Sequence, residues 1–124
     1  MSHIVTIQVQ VKDAVAVHNA CKRLSLPAPE QGTTKLFDGE ATGLAVQLPQ
    51  WVYPIVVDLT SGELHYDNYS GKWGSDSRLH EFLQTYAVCA TTLEARRHGY
   101  SVTEQKLADG SIKLTIQVTG GGVA

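Results

Sequence analysis

The chain opens on an alternation. Val5, Ile7, Val9 and Val11 interleave with Thr6, Gln8, Gln10 and Lys12, the period of a strand with one buried face. Asp13 then stands where a helix cap belongs, and Ala14, Val17, Cys21 and Leu24 recur at spacings of three and four. That pattern predicts a short amphipathic helix over 14–25 with Cys21 on its buried stripe, ended by Pro27 and Pro29. Residues 30–40 carry little pattern beyond Gly32, Gly39 and a short strand at 35–38. Stretches 41–48 and 55–59 read as strands, the second opening just after Pro54, and Ser61-Gly62 turns the chain into a further strand over 64–68. Ser75 or Asp76 caps a long helix whose stripe is Leu79, Leu83, Tyr86, Ala90 and Leu93, closed by Arg96, Arg97, His98 and Gly99. A last hairpin turns about Asp109-Gly110, and its second arm alternates Ile112, Leu114, Ile116 and Val118.

The resulting order is β-α-β-β-β-α-β-β. It defines an α+β class, a mostly antiparallel sheet with two helices packed on it, as a ferredoxin-like variant. One domain over 1–118 is expected, with 119–124 as a flexible tail. A length of 124 residues suits a single domain, and 43% hydrophobic content with a net charge of -2 excludes intrinsic disorder. Ten Lys and Arg against twelve Asp and Glu argue against nucleic acid or an anionic membrane as partner. No apolar run reaches the roughly 18 residues of a spanning helix. Cys21 and Cys89 are too few for a disulfide framework, so a reduced, cytoplasmic protein with both thiols buried is expected.

Candidate chemistry concentrates in 51–74, which holds both tryptophans and Tyr53, Tyr66 and Tyr69. A two-residue loop at Ser61-Gly62 sets Val57 opposite Tyr66 and places Asp58 beside His65 and Val56 beside Asp67. A carboxylate facing an imidazole is the raw material of acid–base chemistry, but a solvated ion pair is the preferred account. The run Asp67-Asn68-Tyr69-Ser70-Gly71 is turn chemistry, able to hold a small ligand against Trp51 or Trp73 or simply to close one end of the core. Trp73 is expected to pack on Leu79 as a hydrophobic staple. Lys72, Arg96, Arg97 and His98 form a basic cluster, in which the helix C-terminus disfavours anions. His3, His18, His65, His80 and His98 share no ligand spacing, so neither metal nor cofactor is expected. There is no nucleophile elbow, P-loop or dinucleotide fingerprint, hence no catalytic residue. The candidate binding residues are Trp51, Tyr53, Asp58, His65, Asp67, Asn68, Tyr69 and Trp73. They point to a non-catalytic accessory or binding domain, acting through aromatic loops or a sheet edge on a protein partner or a second copy. The alternative is a small-molecule binder or minor enzyme using Asp58, His65, Asp67 and Tyr69.

Three segments also carry a resemblance. The start Met1-Ser2-His3-Ile4-Val5-Thr6-Ile7 is one, and the hairpin residues Asp58, Gly62-Glu63-Leu64 and Tyr66-Asp67 are another. The third comprises Tyr86-Ala87, Ala95, Gly99-Tyr100-Ser101-Val102 and Asp109-Gly110-Ser111-Ile112. Together they resemble the hypothetical chloroplast reading frame thirty-five family of cyanobacteria, plastids and other bacteria, a domain of unknown function. The resemblance spans nearly the whole chain except residues 26–50. It implies a small intracellular accessory domain and assigns no activity, catalytic residue or cofactor.

Overall fold

Four strands run as an up-and-down meander, and a fifth, from the start of the chain, pairs with the meander's last strand. The computed structural model describes residues 4–118. In chain order these hold β1 (Val5–Gln8), α1 (Ala14–Arg23), β2 (Glu30–Leu36), β3 (Gly39–Val46), β4 (Ile55–Asp58), β5 (Glu63–Tyr66), α2 (Asp76–Arg97), β6 (Ser101–Lys106) and β7 (Ile112–Gln117). The five-stranded sheet has the order β1-β5-β4-β3-β2, every pair antiparallel, while β6 and β7 form a separate hairpin. The α+β class holds. Within it, three strands separate β1 from β2, so the sheet departs from the split β-α-β arrangement of a ferredoxin-like fold. The tail at 119–124, like His3, lies outside the described residues.

Both helices form for the reasons the sequence gives. Asp13 caps α1, its Oδ1 accepting the N–H groups of Val15 at 3.0 Å and Ala16 at 3.2 Å. Ser75, rather than Asp76, caps α2. Helix α1 stops at Arg23, before the prolines: Ser25 turns left-handed at φ 59° and the Leu26 N–H reaches back to the Cys21 carbonyl at 2.8 Å. One sheet face carries Leu44, Val46, Ile55, Val57 and Leu64 into a core shared with Ala16, Val17, Ala20 and Cys21 of α1 and Leu79, Phe82 and Tyr86 of α2. The Tyr86 hydroxyl accepts from the N–H groups of both Lys12 and Asp13 at 3.2 Å, tying α2 to the start of α1. The β6–β7 hairpin is held to this body by a two-pronged Arg23–Glu104 contact at 2.6 and 3.0 Å and by Gln84 donating to the Gly110 carbonyl.

Three local expectations are corrected. Strand β2 covers 30–36, not 35–38, adding one strand to the predicted order. The turn at Asp109-Gly110 belongs to a five-residue loop, since Lys106 pairs with Ile112. The β4–β5 loop has four residues, 59–62, closed by the Gly62 N–H on the Asp58 carbonyl at 2.7 Å, with Gly62 at φ 79°. Its extra length shifts the register. Val57 therefore pairs with Leu64, Val56 with His65, and Asp58 with Glu63. The shift keeps parity, so Asp58 and His65 share a face without being opposite. Among the described residues no helix is long and apolar enough to cross a membrane.

Candidate binding surface

The chain after β5 is forced into an unusual path. Tyr69, Ser70 and Gly71 are consecutive left-handed residues, at φ 48°, 53° and 94°. Two of them are not glycine, a conformation that costs energy and persists only where the surroundings impose it. Here they do. The Asp67 Oδ1 accepts the Tyr69 N–H at 3.2 Å. The Asn68 carbonyl accepts from Gly71 at 3.0 Å and Trp73 at 2.9 Å, and its side-chain amide donates to the Gly74 carbonyl and to Asp76 Oδ1. The Val52 N–H closes onto the Trp73 carbonyl at 2.8 Å, locking this loop to the β3–β4 connection.

On that frame four rings meet. Trp73 lies 5.1 Å from Phe37 in a stacked pair, 4.8 Å from Tyr69 and 5.6 Å edge-on from Tyr53. They come from three connections: the β2–β3 turn, the β3–β4 loop and the loop before α2. Lys72 Nζ sits 4.9 Å over the Tyr69 ring. Phe37 is 53% exposed and neighbouring Val52 59%, so the cluster opens to solvent. Beneath the loop Asp67 is 1% exposed, and among the described residues its Oδ2 has no hydrogen-bond partner.

The sequence-predicted residues separate into three places. Tyr53, Tyr69 and Trp73 come together in the cluster, with Asp67 and Asn68 as its frame. Trp51 is buried in the core at 4% exposure, its ring N–H donating to the Ser75 carbonyl at 3.1 Å. The staple expectation for Trp73 is overturned: Trp73 packs on other rings, and it is Trp51 that braces the start of α2. Asp58 and His65 lie with Glu63 on the sheet face turned away from the helices. The backbone N–H groups of Thr60 and Ser61, and then His65, hold the Asp58 carboxyl below its usual range. Sequence reasoning missed Phe37, a lone aromatic in a turn with no periodicity to mark it, and Glu63, whose place depends on the register.

Two clefts of about 480 and 490 Å³ run along α2, beside the β6–β7 hairpin, and none of the candidate residues lines either. Among the described residues the free edges of the main sheet are β1 and β2. β2 is polar and carries Lys35, a composition that discourages strand addition. Comparison with protein-family models, with curated proteins and with solved structures finds no match to this chain.

Proposed function

We propose that the chain is a small, non-catalytic binding domain that engages a protein partner through the rings around Trp73. The observation that carries this reading is a solvent-open aromatic cluster mounted on a hydrogen-bonded, conformationally costly loop. Interface hot spots are rich in Trp and Tyr held in place before binding, because a preordered ring loses little entropy on contact. A cytoplasmic location belongs to the same proposal, in keeping with the free Cys21 and Cys89. So does membership of the reading-frame-thirty-five family, which rests on the three segments quoted above.

The test compares wild type with Phe37→Ser and Val52→Ser in affinity capture and in light scattering. Both positions are more than half exposed, so the variants retain the fold, and Phe37→Ser gives up only a ring contact worth about 0.5–1.5 kcal/mol. The expected result is a stoichiometric partner, or a dimer, held by wild type and lost from both variants. A strict monomer that captures nothing, or identical capture by all three proteins, would remove the proposal.

A further inference from the structure

The sheet face turned away from the helices carries a second cluster, unrelated to the aromatic one. Glu63 and His65 are two apart on β5 and so share a face, and the four-residue loop returns Asp58 to the position opposite Glu63. We propose that Asp58, Glu63 and His65 bind a divalent transition-metal ion of the zinc type. One ligand atom from each lies within 4.8 Å of the other two, and all three residues are half-buried.

Charge supports this first. Asp58 and Glu63 face each other directly across the ladder, and like charges in that relationship repel. Among the described residues neither carboxylate has a Lys or Arg within ion-pairing distance, and His65 forms no ion pair with them. A divalent cation neutralises the pair.

Orientation supports it independently, through side chains of another strand. Thr6 on β1 is paired with His65, and its Oγ1 lies 2.8 Å from Nδ1, which among the described residues leaves Nε2 without a partner. Ligating histidines are held in this way through the nitrogen that does not bind the metal. Gln8, also on β1, donates its amide to Glu63 Oε2 at 2.5 Å, and Ser61 Oγ donates to Oε1 at 3.3 Å. Asp58 Oδ1 takes the Thr60 and Ser61 N–H groups. A common ion with bonds of about 2.0–2.2 Å needs its donors closer than 4.8 Å, so binding must draw the three side chains together. Two carboxylates with one imidazole favour a borderline ion over magnesium or calcium, which prefer oxygen alone. Three protein ligands leave further coordination positions for water or an incoming group.

The test titrates the chelator-stripped chain with Zn²⁺ by calorimetry, using wild type, Asp58→Asn, Glu63→Gln and His65→Gln. The expected result is one ion per chain for wild type, weakened at least about tenfold in each variant. Amide broadening by Mn²⁺ should centre on 6–8 and 58–65. Without metal, Glu63→Gln should melt at or above wild type, because it relieves the repulsion; saturating Zn²⁺ should reverse that order. The proposal is overturned by no saturable binding up to millimolar Zn²⁺. Affinities within twofold across the set, or broadening centred on the His98–Glu94 contact instead, would overturn it as well.

Discussion

The indole of Trp51 occupies the space where Gly74 would carry a side chain: a methyl group at Gly74 would overlap ring atoms Cδ2, Cε2 and Cγ. Two positions before α2 begins, the backbone is therefore a surface on which the largest side chain of the core rests. The Trp51 ring N–H then bonds the carbonyl of Ser75, the helix cap itself. One aromatic residue from the β3–β4 connection thus fixes where α2 starts and, through the same loop, where Trp73 and Tyr69 stand.

Gly74→Ala follows directly. The clash is with a buried ring rather than the end of a flexible chain, so the loop or the indole must move. Overpacking of this kind costs about 1–3 kcal/mol. A urea denaturation midpoint lowered accordingly, with a shifted tryptophan emission, is expected. An unchanged midpoint would show that the ring does not rest there.

Asp67 makes a prediction of opposite sign. A buried carboxylate oxygen without a partner is a cost the fold carries. Asp67→Asn keeps an oxygen for the Tyr69 N–H and removes the charge. Stability should be unchanged or rise by up to about 1 kcal/mol in thermal or chemical denaturation. A loss larger than about 1 kcal/mol would reveal a partner for that oxygen.

Both helices were legible because cap and stripe agree in each: Asp13 precedes Val17 and Cys21, and Ser75 precedes Leu79 and Tyr86. β2 was not, because Glu30, Gln31, Thr33 and Lys35 lie on an edge strand that meets water and show no alternation. The β4–β5 register was half legible. Parity gave the face shared by Asp58 and His65, but loop length decides what stands opposite, and Gly62 serves a two-residue or a four-residue loop equally well. At the aromatic site the local residues Tyr69 and Trp73 could be found by composition. Phe37 reaches them only because the β2–β3 hairpin folds toward this loop, a tertiary fact with no local signal.

The cysteines give a pH-dependent test. Burial pushes the Cys21 thiol up to about 11 from an ordinary 9.0, and raises Cys89 as well, against the opposing charge of Arg23. Both thiols are therefore protonated at neutral pH, and labelling by a thiol reagent at pH 7–8 should be slow in the native protein and fast after denaturation. The sign for stability follows from the raised value. The folded state holds its Cys21 proton longer than the unfolded chain, so this contribution is whole below pH 9 and is lost as pH rises toward 11. Cys21→Ala should flatten the decline. Rapid native labelling of Cys21, or an identical alkaline profile in the variant, would contradict its burial.

The two tryptophans should respond differently to the same truncation. Trp51 belongs to the buried core cluster, beside Leu48, Ile55 and Leu79, and also forms an edge-on contact with Tyr66 at 5.6 Å. Trp51→Ala should cost about 3–5 kcal/mol, as large truncations in packed interiors do. Trp73 stands outside that cluster and touches Phe37, Tyr53 and Tyr69, rings that are themselves partly in water. Its removal gives up aromatic contacts but leaves a gap that solvent fills, so Trp73→Ala should cost only about 1–2 kcal/mol. The same substitution removes the centre of the proposed contact surface, so partner capture should fail while the fold survives. Paired urea titrations of the two variants decide the matter. Equal losses near 4 kcal/mol would make Trp73 a core residue, and the aromatic cluster a piece of architecture rather than a site.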